Sequence, residues 1–81
     1  MAQINLQKIK KITKNRNTIH DKVISTYTIF EDSGNKFIQI DTYGRIDREM
    51  PEKASQSLQF DREAAKFFVN LLVEEFKLYR R

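Results

Sequence analysis

Residues 22–43 read KVISTYTIFEDSGNKFIQIDTY. Two runs rich in β-branched and aromatic residues flank a short polar stretch, and that pattern predicts a β-hairpin. Residues 22–31 are the first run. Asp32-Ser33-Gly34-Asn35 is the turn, because Gly accepts positive φ and short polar side chains bond nearby backbone. Residues 36–43 are the second run. Side chains alternate along a strand, so Ile38 and Ile40 share one face while Phe37, Gln39, Asp41 and Tyr43 share the other. In the first run, Val23, Ser25, Tyr27 and Ile29 are assigned inward. Ile24, Thr26, Thr28 and Phe30 then point outward.

Towards the C-terminus, residues 44–54 (GRIDREMPEKA) are polar and hold the only proline. They form a loop, long for a plain hairpin, and such loops often carry function. Residues 55–60 (SQSLQF) alternate again and make a short strand with Leu58 and Phe60 as its apolar members. Asp61 sits where a helix N-cap belongs, since its carboxylate can accept the free N–H groups of the first turn. From Arg62 to about Leu78 the chain is expected to be helical, with Ala65, Phe68, Leu72, Phe76 and, just beyond, Tyr79 repeating at three- and four-residue steps on one face. Arg80 and Arg81 complement the negative helix end. A second apolar group, Phe67, Leu71 and Leu78 with Val69 and Val73 nearby, widens the stripe beyond what one sheet face can cover. The expected second neighbour is another copy of the chain, with Phe67, Leu71 and Leu78 at the dimer interface. The alternative is that the N-terminal segment folds across the helix.

Towards the N-terminus, residues 3–14 (QINLQKIKKITK) alternate loosely. Ile4, Leu6 and Ile12 share a phase that Ile9 breaks, as a β-bulge would. Asn15-Arg16-Asn17 reads as a turn. The expected architecture is α+β: a four-stranded antiparallel sheet followed by one C-terminal helix (ββββα), dimerising, in a single domain over residues 1–81.

The 81 residues carry a formal net charge of +4, and Lys8, Lys10, Lys11, Lys14 and Arg16 stand together before any acid appears. A basic stripe favours a polyanion, although a solvated charged strand would look the same. There is no cysteine, hence no disulfide and no thiolate for zinc. No signal peptide or apolar stretch of bilayer length is legible, so the expected location is the cytoplasm, without membrane contact.

Little in the chain supports catalysis. His20 adjoins Asp21, but neighbours on an extended chain face opposite ways. Asp41, Asp47, Glu49 and Glu52 gather about the long loop in a spacing that matches no calcium loop. Glu75-Phe76-Lys77 falls late in a helix, where it is solvated charge. No phosphate-cradling loop or nucleophile motif occurs. The expectation is a binding protein, not an enzyme, with no cofactor, metal or small-molecule substrate.

The segment KFIQIDTYGRIDREMPEKASQSLQFDREAAKFFVNLL resembles the core of the positive cofactor family of transcriptional coactivators and their bacterial relatives. Ile40-Asp41-Thr42-Tyr43 stands for that family's third strand, Arg45 to Glu52 for its charged loop, Lys53 to Leu58 for its fourth strand and Asp61 for its helix cap. The likeness covers about half the chain. It implies a homodimer that binds single-stranded DNA with little sequence preference, using curved sheets as grooves and helices as the dimer contact. The chain departs from the family at Ala54-Ser55-Gln56, where a glycine is replaced. It departs again in the loop, where Asp47, Glu49 and Glu52 oppose Arg45, Arg48 and Lys53.

The expected function is therefore single-stranded nucleic-acid binding, as an accessory to transcription, replication or repair. Lys8, Lys10, Lys11, Lys14, Arg45, Arg48 and Lys53 would neutralise phosphates, and Tyr43 would stack on a base. Two alternatives stand beside it. One is a sheet that enters duplex DNA; the other is a protein-interaction module that docks through the apolar helix face.

Overall fold

The computed structural model describes residues 1–44 and 53–79. Strand β1 covers Ala2–Gln3, and a single 3-10 turn follows at Leu6–Lys8. Then come β2 at Ser25–Asp32, β3 at Asn35–Thr42, β4 at Gln56–Phe60 and helix α1 at Arg62–Phe76. The four strands form one sheet in the order β1-β4-β3-β2.

The hairpin forms as its composition dictates. Asp32 pairs with Asn35, so Ser33 and Gly34 alone make the turn. Their φ angles are 54° and 81°, the two left-handed positions that match the twist of the flanking strands. The register sets Ile29 opposite Ile38 and Tyr27 opposite Ile40. On β4, Phe60 and Leu58 lie opposite the same two isoleucines. Tyr27 and Ile29 therefore do share a face with Ile38 and Ile40, as assigned.

The sheet is mixed, not antiparallel throughout. The expected strand over residues 3–14 is absent: β1 holds only Ala2 and Gln3, and it runs parallel to β4, with Ala2 beside Leu58. Two local causes are visible. The Asn5 side chain accepts a hydrogen bond from the Gln7 N–H at 3.0 Å and caps the 3-10 turn, so the strand stops there. Beyond it, Ile9 falls out of phase with Leu6, and lysines occupy the alternate sites, leaving no apolar face to bury. Residues 9–24 run without regular structure.

Helix α1 starts where Asp61 caps it. The carboxylate accepts from the Ala64 N–H at 2.9 Å. The last helical residue is Phe76, two before the expected boundary at Leu78, and Lys77 caps the helix in the left-handed conformation at φ 57° and ψ 46°. The Leu78 N–H then reaches back to the Val73 carbonyl at 3.1 Å, closing the helix as such a cap does. Arg80 and Arg81 lie outside the described residues.

The core sits where the first turns of α1 meet the sheet. Ala64 is the one fully buried side chain among the described residues. Phe68 meets Phe60 edge-on at 5.2 Å and Phe67 at 5.3 Å. The rest of the expected inward stripe does not reach the sheet: Leu72 is 45% exposed and Phe76 68% exposed, and Tyr79 lies in solvent. The inward sheet face is also bare away from the helix, with Tyr27 74% and Ile29 57% exposed.

The whole chain presents 8076 Å² to solvent. A compact monomer of 9.7 kDa would present about 5,100 Å². Its radius of gyration, 15.1 Å, exceeds the roughly 12 Å of a close-packed chain this long.

Candidate nucleic-acid interface

The sheet face opposite the helix carries aromatic rings and hydrogen-bonding side chains. Phe30 and Phe37, directly opposite on β2 and β3, stack with centroids 5.4 Å apart and planes 20° from parallel. Both are half-buried, so their outer surfaces remain open. Their stack arises from the hairpin register and needs no other element.

Beside the rings runs a strip of polar side chains. Gln3 on β1 donates towards Gln59 on β4 at 3.5 Å. Gln59 donates to Gln39 on β3 at 2.7 Å, and Gln39 donates to Asp41 at 2.9 Å. Ser57 donates a short hydrogen bond to the same carboxylate oxygen of Asp41. The Ser57 hydroxyl, then the Gln39 amide, hold the Asp41 carboxyl below its ordinary value, because both bonds favour the ionised form. At the end of the strip the Tyr43 hydroxyl shares a hydrogen bond with Thr26 at 3.1 Å.

These groups can do two things. Flat rings offer π-faces to stacked bases. Primary amides offer a donor and an acceptor each, and Asp41 offers acceptors only. The ionised Asp41 repels phosphate, so a nucleic-acid backbone must run along the margin of this face, not over its centre.

The basic residues lie outside the strip. Lys8 ends the 3-10 turn, and Lys10, Lys11 and Lys14 lie exposed on the irregular segment, not on the strand expected over residues 3–14. Lys53 is exposed shortly before β4. Arg45, Arg48, Asp47, Glu49 and Glu52 lie outside the described residues. Tyr43 is brought to the polar face; the lysines are not gathered around it by any regular element.

Gln3, Ser57 and Gln59 complete the strip and were not among the expected contacts. For Gln59 a signal existed, since it alternates with Leu58 and Phe60 just as Gln39 alternates with Ile38 and Ile40. Gln3 could not be placed, because the β1–β4 pairing is parallel and joins residues far apart in sequence.

A second surface is apolar. Tyr27, Ile29, Ile38 and Ile40 on the sheet lie exposed, as do Phe67, Leu71 and Leu78 on and after the helix. A shallow cleft of about 610 Å³ opens between the hairpin turn and the start of α1. Asp61 and Glu63 line it, so the positive helix end is already answered by acids. Among the described residues no cluster of His, Cys, Asp or Glu could hold a metal ion. No helix among them is long and apolar enough to cross a membrane.

No family model, curated protein or solved structure matches the chain.

Proposed function

We propose that this chain binds single-stranded nucleic acid, DNA foremost, through the polar sheet face, and that it acts as a homodimer in the cytoplasm. One observation carries the binding reading: the Phe30–Phe37 stack lies beside a continuous amide and hydroxyl strip on an open sheet face. Bases stack on the rings, their edges meet the amides, and Lys8, Lys10, Lys11, Lys14 and Lys53, together with Arg45 and Arg48 outside the described residues, take the phosphates. The resemblance to the positive cofactor family supports the same reading. A role in transcription, replication or repair follows from it.

The dimer is supported by the bare apolar side chains: Tyr27 is 74%, Ile29 57%, Leu72 45% and Phe76 68% exposed, and a second copy that covered them would complete the core. Phe67 and Leu71 on α1, and Leu78 just after it, contribute to that contact. The same bare apolar surface favours a second reading, a protein-interaction module whose partner is a different protein.

Fluorescence anisotropy of a labelled strand of about 20 nucleotides, with a duplex of the same sequence beside it, tests the function. Single-strand binding should weaken as salt rises, by a slope of about 0.7 per neutralised phosphate. Phe30→Ala or Tyr43→Ala should each weaken it by about 5- to 150-fold, the equivalent of one stacked base. Binding to the duplex alone would transfer the function to the duplex reading. Binding to neither at low salt would leave the protein-interaction reading.

A further inference from the structure

The sheet ends at β2 on one side, and no other strand or helix among the described residues lies against that edge. The edge is long and straight: every residue of Ser25–Asp32 pairs with β3 without a bulge. It contains no proline, lysine or glycine. Natural edge strands are usually protected by such residues, by bulges or by shortness, because an open row of N–H and C=O groups recruits another strand. Of these protections this edge carries only the charges of Glu31 and Asp32, both at its turn end.

The hydrogen-bond phase shows which groups are open. The Tyr43 N–H donates to the Ile24 carbonyl at 3.0 Å. Antiparallel pairs alternate between bonded and non-bonded residues. Ile24, Thr26, Thr28 and Phe30 therefore spend their backbone groups on β3. Ser25, Tyr27, Ile29 and Glu31 direct theirs away from the sheet.

We infer that β2 of one copy pairs antiparallel with β2 of a second copy across a two-fold axis at Tyr27, joining two four-stranded sheets into one of eight strands. Side-chain pairing favours this register. With Tyr27 opposite itself, Ser25 faces Ile29 and Ile24 faces Phe30, and the irregular chain just before β2 carries Lys22 towards Asp32 of the other copy. Sliding by one pair towards Thr28 sets the acid Asp32 against apolar Ile24. The central register also keeps every residue on its own face, so Phe30 and Ile24 of the two copies extend one polar-side surface while Tyr27 and Ile29 extend the apolar side.

This contact is separate from the helix contact and from nucleic-acid binding. Two isologous contacts with different axes carry assembly beyond a dimer, to a closed tetramer where the axes allow it.

Residue-resolved amide hydrogen exchange on the unaltered protein, free of nucleic acid, tests the pairing. The outward amides of Tyr27 and Ile29 should be protected to the same degree as the inward amides of Thr28 and Phe30. Outward amides that exchange at least 100-fold faster than the inward ones overturn the inference. Sedimentation of Ile29→Pro gives a second reading, because proline there removes only an outward N–H. Half the mass of the unaltered assembly, with the strand signal in circular dichroism retained, supports it; full mass in a folded variant overturns it. Should the variant unfold, the exchange measurement on the unaltered protein decides. Loss of single-strand binding would leave both readouts untouched, so the two proposals fail separately.

Discussion

Dilution should destabilise this protein. Ala64 alone is fully buried among the described residues, and the chain exposes 8076 Å² where about 5,100 Å² is normal for its mass. A chain of 81 residues has only about 4–12 kcal/mol of stability when its core is complete, and this core is not complete within one copy. If a second copy covers the surplus, stability depends on protomer concentration. A 100-fold dilution lowers the stability of a dimer by about 2.7 kcal/mol, since each tenfold step is worth about 1.4 kcal/mol. Two chains melting together behave as one body of about 160 residues, for which 1 kcal/mol moves the midpoint by about 2–4 °C. The expected fall is therefore about 5–11 °C between 100 μM and 1 μM protein (both concentrations chosen as about the range of routine melts). Circular dichroism melts at matched scan rates measure it, with sedimentation equilibrium at the same concentrations giving the mass. A midpoint constant across that range, together with a monomer mass, would refute association and leave the exposed apolar surface to a different partner.

Two further outcomes follow from single side chains. Removing the helix cap with Asp61→Ala should cost about 1 kcal/mol in urea unfolding, because the Ala64 N–H loses the Asp61 carboxylate that accepts it; Asp61→Asn should restore most of it. For Asp41, the folded carboxyl is held below its ordinary value by Ser57 and Gln39. A carboxyl with a lowered folded value binds fewer protons than its unfolded counterpart, so its contribution is complete above the ordinary carboxylate range of about 4 and is lost as pH falls through the folded value. Asp41→Asn should accordingly flatten the loss of stability as pH falls below about 4; urea midpoints that fall equally steeply for both proteins there would count against the hydrogen-bonded carboxylate.

The parts of the fold that composition could foretell are those held by neighbours in sequence. The β2–β3 hairpin follows from a β-branched run, a Ser-Gly turn and another such run. The start of α1 follows from Asp61 standing just before an apolar repeat. Both rest on contacts a few residues apart. The N-terminal strand failed for a physical reason: alternation of lysine with isoleucine in residues 3–14 resembles a strand, but Asn5 offers its own backbone-bonding alternative, and only Ala2 and Gln3 find a ladder. The inward stripe of α1 was legible as a stripe, yet its length did not reveal how little of it the sheet would cover. Coverage depends on where the helix axis runs, and no local pattern encodes that. The polar face was half legible: Phe30, Phe37, Gln39, Asp41 and Tyr43 fall on it by alternation, whereas Gln3 joins through a pairing that no turn announces.

That pairing also orders events in time. Gln3 and Gln59 are 56 positions apart and meet only through the parallel ladder of β1 with β4. Closing so wide a loop is slow and comes after the local hairpin, which needs only its two-residue turn. During synthesis at about 5–20 residues per second, residues 2 and 3 wait several seconds for β4 to be made. The basic segment that follows them remains unanchored meanwhile, and the sheet gains its fourth strand only once the chain that becomes α1 is about to follow.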